Sequence, residues 1–136
     1  MDATMLLCDH AEAINGKLYI MGGGWSVCPP GPRNMTLAVK ILVPWDEANE
    51  EHRFRVSLMD DAGNIVELGE PPKAVVQEGQ LVVGRPPHIK KGTPLDVVLA
   101  FGFIGLPLAS KASYRWQLEI NNEPVCDASF QTTEGN

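Results

Sequence analysis

An all-β chain folded as an antiparallel β-sandwich is the prediction from this sequence, and three observations carry it. Apolar and polar residues alternate with a period of two in several segments, most cleanly in residues 53–60 and 113–121. Clusters of Gly, Pro, Asn and Asp separate those segments at short spacing. No apolar stripe at helical spacing runs beyond two turns.

The elements follow in order along the chain. Residues 4–8 form a short apolar strand. Residues 11–14 and 17–21 flank Asn15-Gly16, a pair that accepts positive φ at both positions, so they pair as a hairpin. Gly22-Gly23-Gly24 ends or bends the second strand, and Trp25-Ser26-Val27 resumes it. Residues 28–34 (CPPGPRN) read as a rigid loop, because its three prolines cannot donate ladder hydrogen bonds. Residues 35–43 form a long strand with Leu37, Val39, Ile41 and Val43 on one face and Thr36, Ala38, Lys40 and Leu42 on the other. Residues 44–51 are an acidic loop or one helical turn.

Residues 53–60 place Phe54, Val56 and Leu58 inward and Arg53, Arg55 and Ser57 outward. A turn at 61–64 returns the chain through 65–68, and Gly69-Glu70-Pro71-Pro72 closes that hairpin. Residues 74–83 are a weaker strand broken at Glu78-Gly79, and 84–92 a loop. Residues 95–104 form the most apolar strand, and 106–111 a connection containing Pro107. Residues 113–121 direct Tyr114, Trp116, Leu118 and Ile120 inward. A turn at 121–123 leads to the last strand, 124–132, with Cys126, Ala128 and Phe130 on one face, and 134–136 fray. Eight or nine strands result, in one domain over 1–136. An immunoglobulin-like or jelly-roll sandwich ranks above a barrel. In the first, Tyr114 would hold a corner through its hydroxyl.

Composition narrows the role. The formal net charge is −6 and the Lys and Arg residues are dispersed. Nucleic acid and anionic membranes need a concentrated positive field, so neither is an expected partner. The longest uncharged apolar run, residues 97–109, is too short for a bilayer span of about 20 residues. Met1-Asp2-Ala3-Thr4 opens no secretory signal. Cys8, Cys28 and Cys126 are odd in number and widely spaced, which reads as reduced thiols and a cytoplasmic location, or a virion if the chain is phage-encoded.

Several segments invite a chemical reading. Cys8, His10 and Glu12 fall at alternate positions, so a flat strand would hold all three on one face, and zinc accepts each ligand type. No second Cys or His pair completes such a site, so Cys8 and His10 stand as candidate metal ligands against an expectation of no metal and no cofactor. The glycine run 22–24 leads into Trp25 and a proline loop rather than a helix, which argues for a bend beside a bulky ring over a phosphate cradle. No G-x-S-x-G or H-E-x-x-H motif is present, and the adjacent pairs Asp60/Asp61 and Glu50/Glu51 read as solvated charge. The expectation is that the chain is not an enzyme.

The segment Leu95–Leu108 stands out for another reason. Leu95, Val97, Leu99, Phe101 and Phe103 make one face, but the other, with Val98, Ala100, Gly102 and Ile104, is also largely apolar, and Leu106 and Leu108 extend it. An antiparallel strand normally leaves one face polar. The proline loops or a partner surface must cover the second face, so Val98, Ile104, Leu106 and Leu108 are candidate interface residues. Trp45, at a strand end, joins them because Trp is enriched at interfaces.

Asp9, Ala11, Gly16-Lys17-Leu18-Tyr19 and Gly22-Gly23-Gly24-Trp25, with Gly84-Arg85-Pro86-Pro87 and the alternation Tyr114-x-Trp116-x-Leu118-x-Ile120, make most of the chain resemble a family of small uncharacterised bacterial proteins, some associated with actinobacteria and their phages. The resemblance implies a small β-sandwich and carries over no catalytic residue. The functional expectation is a non-catalytic structural or interaction module, an oligomeric accessory subunit that decorates a larger assembly such as a phage capsid. The alternative is a small-ligand or metal-binding protein with Cys8, His10 and Cys28 or Trp25 at its site. A catalytic role for His10 or His52 ranks third.

Overall fold

A computed structural model describes residues 1–135. Its strands are β1 (Asp2–Ile14), β2 (Lys17–Gly23), β3 (Val27–Cys28), β4 (Gly31–Val43), β5 (Glu51–Met59), β6 (Glu67–Leu68), β7 (Lys73–Ala74), β8 (Val76–Val82), β9 (Leu95–Leu108), β10 (Ser113–Ile120) and β11 (Glu123–Thr132). A single 3-10 turn, Trp45–Glu47, is the only helical element among the described residues. The order in one sheet is β2-β1-β4-β9 and in the other β3-β11-β10-β5-β8, with β6-β7 as a separate ribbon. Pairing is antiparallel except between β11 and β3, which run parallel. The molecule is thus the expected all-β sandwich, with open sheets. Its eleven strands exceed the expected eight or nine: Val27–Cys28 pairs with β11 rather than resuming β2, and the segments read as two strands, 65–68 and 74–83, divide into β6, β7 and β8.

The core lies between the two sheets. From the first come Met5, Leu7, Met35, Leu37, Val39, Ile41, Val43, Leu95, Phe101 and Phe103; from the second, Val56, Leu58, Tyr114, Trp116, Leu118, Ile120 and Phe130. The apolar positions expected to point inward in residues 35–43, 53–60 and 113–121 therefore do so, Phe54 at half-burial. Trp116 is fully buried and stacks at a tilt on Phe103, ring centroids 4.4 Å apart. The Tyr114 hydroxyl accepts a hydrogen bond from the backbone N–H of Ala109 at 3.0 Å, which pins the turn into β10 as a tyrosine corner does.

Three local readings need correction. The segment 28–34 is not all loop, because β4 begins at Gly31 and runs along β9. Pro32 faces Pro107 in that ladder, so two residues without an N–H share one rung and the rest of the pairing survives. Residues 4–8 and 11–14 are one continuous strand. Ser57 is buried rather than outward, set between Gln117 and Val76 on the neighbouring strands. At the C-terminus, Thr133 N–H still donates to Cys28 O at 3.0 Å and Glu134 lies 3.3 Å from Lys111 Nζ; the last residue of the expected frayed tail, Asn136, lies outside the described residues.

Candidate functional site

The most unusual part of the molecule is the β1–β2 hairpin. Asn15 and Gly16 take φ of 50° and 75°, which is the geometry a tight two-residue turn requires. Register then runs Ile14↔Lys17, Ala13↔Leu18, Glu12↔Tyr19, Ala11↔Ile20 and His10↔Met21. The pairing skips one rung at Asp9 and Gly22, where Gly22 has φ of 62°. A side chain there would meet Asp9 as well as strain the backbone.

That irregularity turns the arm over. In a flat strand Cys8 and Ala11 would lie on opposite faces. Here both belong to one small buried cluster with Ala38, and Leu18 and Ala100 pack against it. β2 accordingly touches β9, although two strands separate them in the sheet. The arm lies across a floor of small residues on the outer face of its own sheet, where Cys8–Thr36–Gly102 and Leu6–Ala38–Ala100 form successive rows.

This resolves the apolar second face of β9. Its partial cover is the β1–β2 arm, not the proline loops. The candidate interface residues part company accordingly. Ile104 is 88 % exposed and Val98 half-buried. Leu106 and Leu108, in contrast, are only 8 % and 4 % exposed and belong to the core. The reason is a register shift opposite Arg33–Met35, where Gly105 takes φ of 67° and its N–H donates to Asn34 Oδ1 at 2.8 Å. One extra residue in β9 flips the parity of everything after it. Trp45 is half-buried and already engaged: the Arg85 guanidinium lies 4.7 Å over its ring and donates to its carbonyl oxygen.

The Cys8–His10–Glu12 triplet does not assemble. The Cys8 thiol is fully buried and donates to Thr36 O at 3.1 Å, and burial pushes its pKa up, away from the thiolate a metal needs. His10 and Glu12 are exposed on the outside of the arm, Nε2 and Oε1 3.5 Å apart. Among the described residues no group of three or more His, Cys, Asp or Glu side chains is placed to hold a metal ion. His52, read as a loop residue, is instead buried on β5. Its Nε2 donates to Glu47 O at 2.8 Å, and its Nδ1 accepts from the Asn121 amide at 2.9 Å. Both ring nitrogens are thereby used in holding the sheet together.

Two features were missed in the sequence. The first is the outside of the arm: Tyr19 is 54 % and Met21 68 % exposed, beside exposed Ile14 and Ile20. The signal was there, since Leu18-Tyr19-Ile20-Met21 is apolar without alternation. The second is a cavity of about 240 Å3 between the base of the arm and the start of β4, lined by Asp9, Trp25, Cys28, Arg33 and Asn34 among others. Trp25 Nε1 is buried with no hydrogen-bond partner among the described residues. Elsewhere, a broad depression of about 610 Å3 on the outer face of the second sheet carries Arg53, Arg55, Glu78 and Glu119, but Arg55 and Glu119 already pair at 2.8 Å.

No helix among the described residues is long and apolar enough to cross a membrane. No curated protein and no solved structure matches the chain. Residues 3–133, which span both sheets and the arm, match a family of unknown function (DUF6941), and the chain belongs to that family.

Proposed function

We propose that the protein is a non-catalytic interaction module, an accessory subunit that docks on a larger assembly such as a phage capsid. The observation that carries this reading is the β1–β2 arm, which sets Tyr19 and Met21 on its outer side, away from the floor that Ala11 and Leu18 cover. Grouped exposed apolar residues on a defined element mark contact surfaces. Ile104, exposed on the opposite edge strand of the same sheet, is a further candidate contact residue. The acidic charge of −6 keeps such a chain soluble before it docks and weighs against nucleic acid as its partner.

The test is sedimentation of the tagged chain from its native source on a density gradient. It should travel with a large particle, and Tyr19→Lys with Met21→Lys should release it to the top without loss of fold. Recovery of the unaltered chain at the top alone contradicts the reading.

A second reading rests on the cavity at Trp25. A small ligand with a hydrogen-bond acceptor would satisfy the Trp25 Nε1–H, with Arg33 and Asn34 beside it. At about 240 Å3 the cavity is smaller than the roughly 300–1,000 Å3 of drug-sized sites, so the ligand is a small one. A thermal-shift screen of small carboxylic acids, with Trp25→Phe as control, tests it. A raised melting temperature that persists in the Phe variant places the ligand elsewhere.

A further inference from the structure

The reading of the chain as an interaction module leaves the partner of the arm unnamed, and its strand edge identifies one. We propose that β2 pairs antiparallel with β2 of a second copy, Ile20 facing Ile20 across a two-fold axis, so that the two four-stranded sheets continue as one. The proposal rests on the reading above only in taking the arm as a contact element.

The four outermost strands differ in how they discourage pairing. β9 carries Pro107, which has no N–H, and its Gly102 carbonyl already accepts from Gln77 Nε2 at 2.9 Å. β8 presents Glu78 and Gln80, and β3 has only two residues. β2 is seven residues long, holds no proline, and has one charge, Lys17, at its end. Natural edges are usually blunted by charge, proline or brevity, and this one is not.

The backbone of β2 also fits itself. Ile14↔Lys17 closes a two-residue loop, so Lys17, Tyr19 and Met21 direct their N–H and C=O groups at β1. Leu18 and Ile20 direct theirs outward, and no strand among the described residues pairs with them. Placing the two-fold at Ile20 makes Ile20 and its symmetry mate a hydrogen-bonded pair. Leu18 then faces Gly22 of the other copy, which brings no side chain of its own and sits against the Asp9 side chain.

Side chains agree with that register. Tyr19 faces Met21 of the second copy, twice by symmetry, a sulfur–aromatic contact that adds to apolar burial. Lys17 faces Gly23 rather than itself, so no like charges oppose. His10 and Glu12 flank the rows from β1, with Glu12 beside Tyr19 and His10 beside Met21. A contact of this length buries less than the roughly 1,200 Å2 of a standard interface, so the dimer forms weakly and depends on concentration.

Sedimentation velocity of the full chain from low micromolar to near-millimolar concentration tests the pairing. A monomer–dimer equilibrium is expected. Ile20→Pro removes the central outward N–H without touching a bond to β1, and should leave monomer only. Tyr19→Glu with Met21→Glu opposes carboxylates across the axis and should do the same, whereas Tyr19→Glu with Met21→Lys matches charges in this register alone and should restore the dimer. A chain that stays monomeric throughout overturns the proposal, as does a dimer indifferent to both disruptive changes. A monomer that still travels with a large particle overturns the β2 pairing while the assembly reading stands. A β2-dependent dimer that joins no particle supports the pairing and counts against the assembly reading.

Discussion

Two hairpins of this molecule are built alike and behave as opposites. β1–β2 turns through Asn15-Gly16 with φ of 50° and 75°, and β10–β11 through Asn121-Asn122 with φ of 52° and 68°. The turns are nearly the same; the strands they join are not. β10 alternates, and Tyr114, Trp116, Leu118 and Ile120 all reach the core. Its tip is tied down as well, since Asn121 Oδ1 accepts from Arg53 N–H at 3.0 Å and its amide meets His52 Nδ1. β2 does not alternate, its tip has no such tie among the described residues, and only Leu18 among its residues is half-buried. Turn chemistry sets where a chain reverses. The pattern in the flanking strand decides whether the hairpin becomes core or remains an exposed arm.

Truncating an aromatic residue in each hairpin should separate the two most widely. Trp116→Ala should cost about 3–5 kcal/mol in chemical denaturation, the usual price of emptying a fully buried aromatic site. Tyr19→Ala should change stability by no more than about 0.5 kcal/mol at low protein concentration. Equal losses would mean that the arm is packed core after all.

The tie at the β10–β11 tip comes next. His52→Ala leaves the Glu47 carbonyl and the Asn121 amide without their partner in a buried setting. We expect a loss of about 2 kcal/mol. The same change would be near neutral if His52 were the loop residue that its charged sequence neighbours suggest.

Gly22→Ala should cost about 1–2 kcal/mol, because an L residue is placed at φ of 62° against Asp9. Residue-resolved amide exchange should show the opening confined to the arm, with β10–β11 unchanged.

The smallest effect is a pH dependence. Burial first, and the Asp127 charge second, push the Cys126 thiol on β11 up to about 11 from an ordinary 9.0. The folded state holds that proton more tightly than the unfolded chain. Its contribution to stability is therefore complete below pH 9 and lost as pH rises toward about 11. Cys126→Ala should flatten that alkaline limb, and an unchanged slope would show that the thiol is not desolvated.

The sandwich itself was legible because its central strands obey a period of two over long stretches. Leu37 to Val43 and Tyr114 to Ile120 each place every second residue in the core. What escaped was anything that breaks the period. The extra residue at Ile104–Gly105 sends Leu106 and Leu108 inward, and nothing in the string of residues marks the bulge except a glycine among many. The turn-over at Asp9–Gly22 separates Cys8 from His10 in the same way, and it supplies the cover for β9 from a segment far away in sequence. The candidate surface was therefore half legible: the test that singled out β9, apolar residues on both faces, applies equally to Leu18–Met21, and there the second face does stay open.

Residue-resolved hydrogen exchange across a concentration series reads the β2 edge amide by amide. The Leu18 and Ile20 amides should exchange fast in dilute solution and become protected as concentration rises. Lys17, Tyr19 and Met21, bonded to β1, and the whole of β10–β11 should keep constant protection. Amides of Leu18 and Ile20 that are protected at every concentration, or that stay unprotected while a dimer accumulates, would contradict the β2 pairing.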